Sequence, residues 1–239
     1  MLNRSTLEAA YAAQCEAFAS SNAFRSLAEG RAAIADYDQF IAGVCRTHLR
    51  SPQILAFLYS VAPPSVAVQI KHNMLEELGL YGARLSHPAL LLQLIKGAGF
   101  GAKARRAVEA GAQENLRRMS AAPILFGTFK EVGLSVMLEV TCFEWMLARL
   151  AGRMARFLRE HRRLSNESLR WFSHHSDVDI RHAAEGLDAV VEYLRYYEFD
   201  ADDATSILNL TFRENPFLKR YFGESLLAVD CPATTRAAA

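Results

Sequence analysis

His175, Asp179 and His182 fall at positions i, i+4 and i+7 of the segment that runs from Phe172 to His182. A helix turns by about 100° per residue, so the three side chains share one face within roughly 60° of one another. Phe172 precedes them on this stripe and Gly186, Ala189 and Tyr193 follow, so three metal-competent groups are set into a face that otherwise reads as core. Withdrawing imidazoles and a carboxylate from water is costly unless something pairs with them, and a metal ion is a common partner. The alternative is a solvated histidine-rich face, or core histidines satisfied by hydrogen bonds.

Other helices offer partners for such a site from apolar faces. Glu77 shares a stripe with Val66, Ile70 and Met74, whereas its neighbour Glu76 lies with Gln69, His72 and Asn73 and is expected to be solvated. Glu139 sits among Val132, Val136, Cys142, Phe143 and Met146. Glu144, with Met137, Thr141, Ala148 and Ala151, competes with it. His48 follows Ile41, Val44 and Cys45 along its helix, and could equally be a satisfied core residue. His87 opens a helix before Pro88, where a capping or loop role is the alternative. Carboxylates and imidazoles converging from several helices are how bundles hold metal pairs. Mixed nitrogen and oxygen donors with open positions suit iron, with manganese as the second choice. The scattered Cys15, Cys45, Cys142 and Cys231 exclude an all-thiolate site, and the Glu-x-x-His spacing of ferritin-like helices is absent.

The elements that must position these residues are helices throughout, since no alternating strand pattern occurs. The pattern predicts helices over 5–29, 32–61 (interrupted or bent near Pro52), 64–79, 87 to a stop between Gly97 and Gly101, 103–119, 125–161, a His175 helix reaching 199, and 200–222. The expected architecture is an all-α bundle forming a single domain over 1–230, with a frayed tail over 231–239. A chain of 239 residues with 51% hydrophobic content can bury a proper core. A net charge of +1 gives no argument for nucleic acid or an anionic membrane. With no apolar leader, no spanning segment and no CxxC pair, a soluble cytoplasmic protein with reduced thiols is expected. The basic stretches 103–118 and 149–163 read as solvated helix faces. Gly79–Gly82 lacks the features of a phosphate loop, and the Tyr193, Tyr196, Tyr197 and Phe199 cluster reads as core or a dimer face.

The pattern His-x3-Asp-x2-His after Trp171-Phe172 resembles the heme-oxygenase-like di-iron oxidases and oxygenases, within the wider superfamily of thiaminase-type and pyrroloquinoline-quinone-synthase-type bundles. Asn73–Glu77 followed by Ser86-His87-Pro88 is similar to that family's acidic-helix and histidine segment, and Glu139 to the glutamate of the preceding helix. The similarity covers about residues 30 to 200. It implies Glu77, His87, Glu139, His175, Asp179 and His182 as ligands of one or two irons. Relatives offer an early glutamate where this chain reads from Cys45 to Pro52, and His48 is the substitute there. The resemblance implies a non-heme iron oxidase or oxygenase that activates dioxygen to oxidise a small organic substrate. N-oxygenation, C–H oxidation and oxidative C–C cleavage are the outcomes it allows. It also implies a homodimer and an external electron donor. Arg46, Arg50, Arg181 or Lys71 could receive a substrate carboxylate, the alternative for each being a solvated surface role. Two alternatives stand beside it. One is a metal-free enzyme of the wider superfamily, with Cys142 as nucleophile near Glu139; the other is a non-catalytic helical partner-binding protein.

Overall fold

The structure is a computed structural model. It describes residues 2–81, 85–121 and 127–223, with the side chains of 118–121 and 177–180 excepted. Among the described residues it is all-α, with eleven helices and no strand. In chain order these are α1 (Arg4–Ser20), α2 (Asn22–Ala28), α3 (Ile34–His48), α4 (Ser51–Val61), α5 (Pro64–Glu77), α6 (His87–Gly97), α7 (Ala102–Ala121), α8 (Phe129–His161), α9 (Arg170–Tyr196), α10 (Ala201–Thr211) and α11 (Pro216–Phe222).

The two longest helices, α8 and α9, share the largest interface and form the spine of the bundle. With 33 residues, α8 is about 50 Å long. The pair is antiparallel: the Tyr193 hydroxyl near the end of α9 donates to the Lys130 carbonyl at the start of α8, at 3.0 Å. Glycines make the contact close. A β-carbon at Gly186 would come 2.7 Å from the Thr141 methyl, and one at Gly133 would collide with the Tyr193 phenol. On α8 the buried series Leu134, Met137, Leu138, Cys142, Met146, Leu150 and Met154 recurs at helical spacing and faces the core.

Three of the predicted helices are interrupted, two of them where a side chain caps the new N-terminus. The first breaks at Ser21, which turns extended and accepts a hydrogen bond from the Phe24 N–H. The second is interrupted near Pro52 rather than bent. It stops after His48, and a separate helix begins with Pro52 in its first turn, where a missing N–H costs nothing. The last divides into α10 and α11, because the Asn215 side chain accepts from the Phe217 and Leu218 N–H groups just before Pro216 opens the second piece. The predicted start of α8 near Leu125 and the tail over 231–239 lie outside the described residues.

Packing of the last helix against α3 matters for the site. Gly43 of α3 lies against the Tyr221 backbone so closely that a β-carbon would strike its carbonyl. Phe18, Phe24, Phe40, Phe143, Phe157, Phe217 and Tyr221 interlock around this contact, mostly edge to face. Each such ring, fully buried, contributes about 1.5–3 kcal/mol. The result brings Arg220 and Tyr221 beside α3 and α8. Among the described residues no helix is long and apolar enough to cross a membrane.

Candidate metal centre

Glu77 is the last residue of α5. The helix is stopped there by Gly79 at φ 70°, with the Leu80 N–H donating to the Leu75 carbonyl and the Gly79 N–H to that of Glu76, both at 2.9 Å. The chain returns through Ser86, whose hydroxyl caps α6 by accepting from the Ala89 N–H at 3.3 Å, so that His87 is the first helical residue. His175 projects from α9, one turn beyond Trp171. These three elements converge: Glu77, His87 and His175 are all buried, and one ligand atom from each lies within 4.8 Å of the others.

Hydrogen bonds set the chemical state of this cluster. The His175 Nδ1–H donates to the Trp171 carbonyl at 2.7 Å, which leaves the Nε2 lone pair for a ligand. Burial, reinforced by nearby His87, pushes the His175 pKa well below the usual histidine value, so the ring is neutral. Glu77 uses both oxygens: Oε1 lies 2.6 Å from His87 Nδ1, and Oε2 accepts from the Ser51 hydroxyl at 2.5 Å. Burial alone would raise the Glu77 pKa, but His87 and the Ser51 hydrogen bond overcome it and hold the carboxyl below the usual range. Two imidazoles and one carboxylate brought this close form a donor set that suits non-heme ferrous iron.

Further donors line the same cavity. His182, two turns along α9, places Nε2 2.8 Å from Glu76 Oε2. This corrects the expectation that Glu76 is solvated: its side chain is only 17% exposed, and His72 and Arg181 approach it as well. Glu144 reaches the cavity from α8 and accepts from the Asn73 amide at 2.5 Å. Burial raises its pKa, and His182 only partly offsets this. Glu139 also lines the cavity but is engaged by Arg220 Nε at 2.7 Å. His48 gives its Nε2 to the Tyr221 hydroxyl at 2.8 Å and packs on Trp171 and Phe143; burial lowers its pKa to about 4. The side chain of Asp179 lies outside those described. Thus the structure gathers Glu77, His87 and His175, sets His182 and Glu144 along the same cavity, and gives Glu139 and His48 other partners.

The cavity is partly open to solvent. Ile54, Leu55, Val136, Val140, Phe143 and Leu147 supply its apolar wall, and Arg46, Arg50, Asn73, Asn115 and Arg220 its polar one. Arg181 is instead paired with Glu76 and Glu185, and Lys71 faces solvent. Cys142 is withdrawn into the hydrophobic core, where burial pushes its thiol pKa far up. Sequence reasoning missed Ser51, Glu76, Arg220 and Tyr221. Only Glu76 carried a signal, as a carboxylate one turn after His72 and adjoining Glu77.

The family model for iron-containing redox enzymes matches residues 38–209. The matched stretch runs from α3 into α10 and holds every residue gathered in the cluster. Comparison with curated proteins gives no match.

Proposed function

We propose that this chain, which belongs to the iron-containing redox enzymes, is a non-heme iron oxidase or oxygenase that brings dioxygen and a small organic substrate together beside Glu77, His87 and His175. The observation that carries the reading is the buried cluster itself. A carboxylate held charged beside a neutral imidazole, with a second imidazole against it, is an expensive arrangement for a core and a suitable one for a divalent cation.

Glu77, His87 and His175 would hold the first iron. His182 with Glu144 would hold a second, making the site di-iron. Ferrous iron bound here supplies electrons for the reduction of dioxygen and the oxidising power that reaches the substrate. The protein's own part is positional. Ser51 fixes the Glu77 carboxylate, and the Trp171 carbonyl fixes the tautomer of His175. Phe143, Leu147, Val136 and Val140 keep the neighbouring space apolar and limit water at the reacting atoms. N-oxygenation, C–H oxidation and oxidative C–C cleavage all fit such a cavity. The metal-free alternative loses support because its candidate nucleophile, Cys142, is in the core and away from the cavity.

Dioxygen uptake tests the reading. Chain loaded with ferrous iron under nitrogen, then mixed with oxygenated buffer, should consume dioxygen faster than the same concentration of free ferrous iron, and His175→Ala should not. Uptake no faster than the free-iron control would overturn it.

A further inference from the structure

We infer that the cavity takes a monocarboxylic acid with an apolar body, its carboxylate received by Arg46 and Arg50. The inference deepens the oxidase reading and rests on it for the reaction, while the binding itself can be measured without turnover.

Arg50 Nε is buried in the cavity wall and makes no hydrogen bond among the described residues. A guanidinium cannot shed its charge, and a buried donor without a partner is rare in a folded protein, so the position calls for an acceptor that the chain does not supply. Arg46 lines the same cavity from the last turn of α3. Its stem lies across α7 at Gly111, where a β-carbon would come 2.7 Å from Arg46 Cδ. One turn later the Asn115 amide donates to the Arg46 carbonyl at 3.4 Å, tying the end of α3 to α7. The third cavity arginine, Arg220, is taken by Glu139, whereas neither Arg46 nor Arg50 is paired with a carboxylate among the described residues.

Two arginines lining one cavity, without a carboxylate partner among the described residues, match a carboxylate ligand, which can accept in parallel from guanidinium forks. The rest of the lining defines the remainder of the ligand. Leu55, Val140, Phe143 and Leu147 suit an apolar body, and the carboxylates of Glu77 and Glu144 disfavour a second negative charge. A phosphate monoester or a diacid is therefore the poorer fit. Arg50 directly precedes Ser51, whose hydroxyl holds Glu77, so an acid anchored at Arg50 extends its body into the space beside the candidate iron ligands.

Calorimetric titration with matched acids and amides tests this. Suitable pairs are 3-phenylpropanoate with 3-phenylpropanamide and 4-methylpentanoate with its amide, and phenyl phosphate serves as the dianion. Full-length chain is used twice, once loaded with ferrous iron under nitrogen and once stripped of metal. At least one acid should bind about tenfold or more tightly than its amide in both forms, as expected for hydrogen bonds to a charged group. R46Q, R50Q and the double variant should bring acid affinity down to that of the amide and leave amide affinity and iron content unchanged. R50K should retain part of the preference, and a helical circular dichroism spectrum confirms that each variant is folded. Several results would overturn the inference: no acid preferred over its amide, a preference that survives R46Q/R50Q, one that disappears when metal is removed, or phenyl phosphate binding best. Loss of dioxygen uptake with acid binding intact would instead count against the oxidase reading alone.

Discussion

At the scale of single residues, the Ser51 hydroxyl does for Glu77 what the Trp171 carbonyl does for His175: each fixes the orientation of a candidate ligand through one hydrogen bond. Supporting hydrogen bonds of this kind are worth about 10–100-fold in metal affinity. Ser51→Ala should therefore weaken cobalt(II) binding by about tenfold or more, followed by the visible spectrum of the bound metal. An unchanged dissociation constant would show that Glu77 needs no such support. Glu139 and Glu144 separate in the same way. Glu139→Gln removes the charge opposite Arg220 and should lower unfolding stability by about 1–3 kcal/mol while leaving iron content intact. Glu144→Gln should instead halve the iron content with little loss of stability, because burial already raises the pKa of this carboxyl. Iron analysis with urea unfolding of both variants checks the assignment, and the reverse pattern would make Glu139 the ligand.

At the scale of elements, the site depends on how helix ends are stopped and how closely helices approach. Gly43 lets α11 lie against α3, which brings Arg220 to Glu139 and Tyr221 to His48. Alanine is ordinarily the better helix former by about 1 kcal/mol. At position 43, however, its methyl meets the Tyr221 backbone, so Gly43→Ala should destabilise the protein by about 1–3 kcal/mol. A urea midpoint equal to or above wild type would contradict that packing. The helical periodicity and the face carrying His175 and His182 were legible in the sequence, because an amphipathic stripe reports its own burial. The break after His48 was legible from Pro52 as an interruption or bend, whereas those at Ser21 and before Pro216 were less so, because apolar periodicity continues across them and only the caps mark the interruption. Glu76 was misread for a related reason. Its neighbours on α5 are polar, and nothing local reveals that His182 of α9 covers it. Ser51 and Arg220 act over separations of 26 and 81 residues, beyond the reach of any helical pattern.

At the scale of the whole molecule, one hydrophobic cluster runs from α1 to α11 and takes in the thiols of Cys15, Cys45 and Cys142. Burial pushes the Cys15 thiol up to about 12 and those of Cys45 and Cys142 well above the usual thiol value. A raised pKa leaves almost no thiolate at pH 8, and thiolate is the reactive species. In the native protein these three cysteines should resist iodoacetamide for hours and react fully once denatured, as read by peptide mass spectrometry. Labelling within minutes would mean that the core opens readily. The central claim is that this core is built around iron. Metal analysis of chain reconstituted anaerobically with ferrous iron tests it most directly, with His175→Ala prepared in parallel and shown by circular dichroism to remain helical. The account predicts about two irons per chain in the wild type, as in bundles built around metal pairs, and a clear loss in the variant. Near-zero iron in the wild type, or a variant that retains all of it, would contradict the account.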